Sequence, residues 1–94
     1  MDFMKFAWNE AKSSLNFQTR GFGFDFAALI FSGSVLESPD ARKDYGEFRF
    51  RAIGEADGFV LVVIYTDRSD ARRIISARLA NRKERALWHS FVKH

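Results

Sequence analysis

Cysteine is absent from the 94 residues, so disulfides and thiolate metal sites are both excluded. Histidine is almost absent: His89 and His94 fall in the last six residues. That removes a paired-histidine catalytic centre and a zinc site built on several histidines. Long apolar runs are also missing. The longest, Phe59 to Tyr65, has seven residues, against the roughly 20 that span a bilayer. Met1-Asp2-Phe3-Met4-Lys5 is followed by no apolar export segment. These absences point to a cytoplasmic chain with no membrane association, no cofactor and no metal site.

Aromatic residues are what the chain has in quantity: eleven Phe, two Trp and two Tyr. They bury much apolar area per side chain and let one small domain, residues 1–94, offset its chain entropy. Charge is segregated. Residues 1–67 hold seven Lys/Arg and ten Asp/Glu, whereas residues 68–94 hold eight and two. A basic C-terminal third is compatible with nucleic acid or with an acidic protein partner, and does not choose between them.

Local signals lay out the elements. Phe3 to Trp8 reads as a short strand. Asn9 caps a helix from Glu10 to about Arg20, which Gly21 stops. Asp25 caps a second short helix, Phe26 to Ser32, ended by Gly33, so the two helices form a hairpin whose apolar faces need a partner surface. Val35 to Glu37 is a strand broken at Ser38-Pro39-Asp40, and Ala41 to Gly46 is a loop. Glu47 to Ile53 alternates as a half-exposed strand, Asp57-Gly58 closes a hairpin, and Phe59 to Thr66, apolar on both faces, is the central strand. Ala71 to Arg78 is the final strand. Asn81 and Glu84 form a capping box for a last helix carrying Ala80, Leu87 and Phe91 on an apolar stripe. The expected fold is α+β: two N-terminal helices packed on an antiparallel β-meander, followed by a C-terminal helix.

Arginines concentrate on two strands. Strict alternation puts Arg72, Ile74, Ser76 and Arg78 on one face of the last strand and Arg73, Ile75 and Ala77 on the other. Arg49 and Arg51 share a face of the 47–53 strand, and twist could bring the two sets toward one concave surface. Guanidinium groups fixed on a sheet suit a phosphate-bearing ligand. The competing reading is a solvated rim paired with Asp67, Asp70, Glu47 and Glu55. By its own position Lys12 reads first as a solvated helix residue, and Glu10 as a first-turn partner of the helix dipole.

Phe6-Ala7-Trp8-Asn9-Glu10-Ala11-Lys12, Asn16 and Arg20-Gly21-Phe22-Gly23-Phe24 resemble the N-terminal signature of BrnT-type toxins. The likeness continues through Glu47-Phe48-Arg49-Phe50, Ile53-Gly54, Leu61 to Arg68, Arg73 to Ala80 and Glu84-Arg85. Three positions depart: Asn9 stands for the usual Asp, and Thr19-Arg20 for the Lys-His of Lys-His-Gly. The resemblance implies a RelE-like ribonuclease toxin of a type II toxin–antitoxin system that inhibits translation. It also implies an RNA substrate, a cognate ribbon-helix-helix antitoxin of the BrnA kind, and operator DNA bound only through that antitoxin. Metal-independent cleavage needs cations for the phosphorane and a proton acceptor. The expected clamps are Arg49, Arg72 and Arg78, with Lys12 as a further cation or proton donor and Glu10 as candidate base. Ser76, Arg82 and Arg85 are expected to bind substrate. The alternative is a non-enzymatic or degenerate toxin-fold module acting through antitoxin or nucleic-acid binding.

Overall fold

The structure, a computed structural model, describes residues 4–42 and 44–93. Phe3, the expected start of the first strand, and His94 lie outside them. The elements run β1 (Phe6–Trp8), α1 (Glu10–Arg20), α2 (Phe24–Ala27) leading into a 3-10 turn (Ala28–Ser32), β2 (Leu36–Pro39), β3 (Phe50–Ala56), β4 (Phe59–Arg68), β5 (Ala71–Leu79) and α3 (Arg82–Val92). Among the described residues no helix is long and apolar enough to cross a membrane.

Short-range chemistry sets most boundaries. Lys12 N–H donates to the Asn9 side chain at 3.1 Å, and Gly21, at φ 89°, ends α1 by donating to the Phe17 carbonyl. Glu84 N–H donates to Asn81 Oδ1 (2.8 Å) while Asn81 N–H donates to Glu84 Oε1 (2.9 Å), the expected reciprocal cap of α3. Asp57 and Gly58 both have positive φ (49° and 83°), the geometry of a two-residue hairpin between β3 and β4. The second helix begins at Phe24, so Asp25 lies in its first turn and is not its cap. Pro39, expected to break a strand, instead ends β2; an edge strand tolerates a residue that cannot donate.

The sheet corrects the expected fold. Five strands lie in the order β1-β5-β4-β3-β2. Strands β2 to β5 pair antiparallel in sequence order, but β1 precedes both N-terminal helices and pairs parallel to β5, with Phe6 opposite Arg72 and Trp8 opposite Ile74. The sheet is therefore mixed, not an antiparallel meander under two leading helices. A three-residue strand is specified by its distant partner, and the alternation of its own side chains is too short to reveal that partner.

One face of the sheet carries α2 and the 3-10 turn. Strand β3 presents Ala52, Gly54 and Ala56 to them, and a Cβ at Gly54 would stand 2.8 Å from Ile30 Cβ. Small residues on β3 thus let the turn sit directly on the strand, while Phe31 and Phe50 pack against Tyr65. The opposite face is covered at one end by α3, whose Trp88 packs with Ile53, Val60, Val62 and Ala80. Strand β4 is buried on both faces, as its composition requires.

Two expectations about the helices change. Helix α1 is fastened by polar bonds and not by an apolar face. Ser13 Oγ accepts from Phe24 N–H, Asn16 Nδ2 donates to the Phe22 carbonyl, and Arg20 Nη1 donates to Ala77 O on β5. Leu15 and Phe17 remain exposed. In α3 the inward positions belong to Glu84 and Trp88, which leaves Leu87 and Phe91 partly exposed and not in the core.

Candidate active site

One residue decides which arginines share a surface. Between β4 and β5 the register slips: Tyr65 pairs with Ile74, but Ile64 pairs with Ser76, leaving Ile75 extra. Such a β-bulge reverses the alternation beyond it. Arg72 and Ile74 therefore share the helix-covered face with Ala77, whereas Arg73 lies with Ser76 and Arg78 on the other. The face assignment from strict alternation is overturned for Arg72 and Arg73 alike. Arg51, opposite Ile64, and Arg49, which lines one hollow with Ile64 and Ser76, join Arg73 and Arg78 on this second face.

The part of that face beyond α3 is open and forms a groove against α1. A hollow of about 400 Å³ is lined by Lys12, Asn16, Thr19 and Arg20 from α1, Ile64, Ile75 and Ser76 from the sheet, and Arg42 and Arg49 from the loop and strand start on the far side. A smaller hollow of about 140 Å³ shares Lys12, Arg49 and Ile75 with it and adds Asn9, Glu47, Arg68 and Arg73. Among the described residues, the two linings together hold six cationic side chains and one carboxylate, Glu47. Among the described residues, Lys12, Arg20 and Arg73 have no carboxylate partner. A hollow of about 420 Å³ at the end of α1 differs in kind: Phe17, Phe22, Phe26, Phe59 and Leu79 line it, with Asp25 and Asp57 beside them. Of these hollows, the first groove is the one whose charge suits an anionic ligand.

Residues 8–84 match the family described as ribonuclease toxin, BrnT, of type II toxin-antitoxin system. The chain belongs to the BrnT family. A comparison with curated proteins finds no match. Membership makes it a ribonuclease toxin of a toxin–antitoxin pair and implies an antitoxin partner.

Within this BrnT chain the expected site residues separate. Lys12, Arg49 and Ser76 meet in the groove. Arg49 Nε donates to Glu47 Oε2 at 3.1 Å, and its guanidinium lies 3.7 Å from the centre of the Tyr45 ring. Arg78 is on the same face but is committed to Glu84, with bonds of 2.7 and 2.8 Å to the two carboxylate oxygens. Arg51 stands 3.6 Å from the same carboxylate. The Arg78 hydrogen bonds, joined by Asn81 N–H, overcome burial and lower the Glu84 pKa to about 2. This ion pair locks the start of α3 to β5.

The remaining candidates stand apart from the groove. Arg72 forms a bidentate pair with Asp67 (2.7 and 3.0 Å) and lies over the rings of Tyr65 and Phe31, covering the core. Glu10 accepts from Trp8 Nε1 at 3.1 Å and faces a different hollow, with Ser13, Ser14 and Asp25. Arg82 and Arg85 are exposed on α3; Arg85 donates to the Ala80 carbonyl, and neither lines the groove. Arg20, Arg42, Arg68 and Arg73 are groove cations that were not among the expected site residues. Arg42 is held by Asp40 (2.7 and 3.0 Å), whose carboxyl that hydrogen bond lowers below its usual range. Arg73 carried a usable signal, its place in the family-like segment, but alternation masked it.

Proposed function

We propose that the chain is an endoribonuclease whose groove grips the RNA backbone and cleaves it with the protein's own side chains, independently of metal, so that translation stops. The carrying observation is the groove itself, six cationic side chains to one carboxylate among the described residues, with Lys12 and Arg20 set on α1 and Arg68 and Arg73 on the sheet. Preorganised cations stabilise the charge that develops on the non-bridging oxygens of a phosphorane without reorganising during the reaction. Arg49 and Arg73 clamp the scissile phosphate, Lys12 protonates the leaving oxygen, and Ser76 orients a phosphate oxygen. Arg20, Arg42 and Arg68 extend the grip along the strand. Arg78 serves this site indirectly, by holding α3 in place. A ribbon-helix-helix antitoxin blocks the groove and carries the pair to operator DNA.

The test is cleavage of a single-stranded RNA by the purified chain in EDTA, followed by its Lys12→Ala and Arg49→Ala variants. Both variants should fold normally and cleave at least about 100-fold more slowly. Expression should arrest growth, and co-expression of the antitoxin should relieve it. Salt-sensitive RNA binding without cleavage products would establish a binding module in place of the enzyme.

A further inference from the structure

In-line attack by a ribose 2′-hydroxyl requires a group that takes its proton, and the groove offers one. Its lysine and arginines are hydrogen-bond donors with no acceptor. The Asn16 amide is committed to Phe22 and Arg20, and Thr19 and Ser76 are neutral hydroxyls. Among the described residues, Glu47 is the only carboxylate in either lining. The backbone beside it is tied to β4: the next residue, Phe48, just before β3, has its carbonyl held by Thr66 Oγ1 at 2.6 Å. Its two oxygens are used unequally. Oε2 accepts from Arg49 Nε at 3.1 Å, whereas Oε1 faces Arg68 Nη2 at 3.6 Å, too far for a hydrogen bond. The side chain is 30 % exposed, toward a hollow shared with Lys12, Arg49 and Arg73.

We infer that Glu47 is the general base of the cleavage, a role resting on the endoribonuclease reading above. Oε1 takes the proton of the 2′-hydroxyl as the 2′-oxygen bonds to phosphorus. The bond from phosphorus to the 5′-oxygen breaks, and that oxygen takes a proton from the Lys12 ammonium. The products are a 2′,3′-cyclic phosphate and a 5′-hydroxyl, and both side chains recover their protonation by exchange with water. Glu47 is also bonded to Arg49, so a role confined to orienting that guanidinium must be separated from proton transfer.

Glu47→Gln makes the separation, because the amide keeps an oxygen for Arg49 but cannot accept the proton. Cleavage rates of the full chain on a single-stranded oligoribonucleotide are measured across pH. Affinity is measured on the same oligomer with a 2′-deoxy scissile nucleotide. Glu47→Gln should cleave about 10²–10⁴-fold more slowly, lose the acid limb of the rate profile, and bind the deoxy oligomer within about threefold of the parent. Glu47→Asp should recover part of the rate and the acid limb. Cleavage by Glu47→Gln at the parent rate would overturn the assignment. So would weakened binding with an unchanged profile, which is the signature of a positioning role. A parent chain that binds RNA but releases no cyclic phosphate would instead sink the endoribonuclease reading, and the base with it.

Discussion

Replacing Glu84 by Gln removes one negative charge from the junction of β5 and α3 and leaves the shape of the side chain. In the parent, that carboxylate receives both Arg78 bonds and the Asn81 N–H, with its side chain 8 % exposed. Its pKa is lowered from 4.5 to about 2. At about 1.4 kcal/mol per pH unit, that difference corresponds to about 3 kcal/mol of folding stability. The Arg78 side chain is 43 % exposed, and solvent screening reduces the figure to about 2 kcal/mol. The sign follows from the depression. The contribution is complete above pH 4.5, where the unfolded chain is also ionised, and is lost as pH falls toward 2. Gln can still serve the capping box, so the variant isolates the charge. A domain of this size shifts by about 4–8 °C per kcal/mol. Melting followed by circular dichroism should therefore place Glu84→Gln about 10 °C below the parent at pH 7. The gap should hold to about pH 5 and close near pH 2. Other acids, Asp40 among them, also lose favourable pairing in acid, but they are common to both proteins and cancel in the difference. A gap that persists at pH 2, or none at pH 7, would refute the argument.

Arg72 and Arg73 should behave as opposites despite being adjacent. Arg72→Ala should lower stability by about 1–3 kcal/mol in denaturant titration, through loss of its ring contacts and the Asp67 pair, with RNA affinity unchanged. Arg73→Ala should leave stability within about 0.5 kcal/mol and weaken RNA binding in a titration. Gly54→Ala should cost about 1–3 kcal/mol in the same denaturant assay, since its Cβ would meet Ile30 Cβ at 2.8 Å and Val35 Cγ1 at 3.0 Å. RNA affinity measured against salt should fall with a log–log slope of about −0.7 per phosphate contact, and Arg73→Ala should make that slope shallower by about one contact.

Much of the architecture could be read from residues close in sequence. Asn9 and Gly21 bound α1, Asp57-Gly58 closes the hairpin, and Asn81 with Glu84 starts α3, because each rests on bonds within a few residues. The doubly apolar β4 announced a central strand for the same kind of reason, its own composition. The candidate site was legible only as an inventory. Lys12, Arg49 and Ser76 could be named, but Glu10 and Arg72 were drawn in by spacing, and Arg42, Arg68 and Glu47 lie on a loop and strand ends where spacing carries no direction. Membership in the BrnT family was equally a property of the ordered motifs, since it requires residue identity and not position in space.

What lay beyond the linear chain was every relation between distant segments. Strand β1 acquires its parallel place only by meeting β5, and α1 reaches the groove through hydrogen bonds that Ser13, Asn16 and Arg20 make outside their own helix. The one extra residue at Ile75 belongs to the same class. A bulge is fixed by how two strands pair, and the alternation of either strand alone is blind to it. The chain fixes how many cations it carries; the pairing of β4 with β5 decides that Arg73 faces the groove and Arg72 the core.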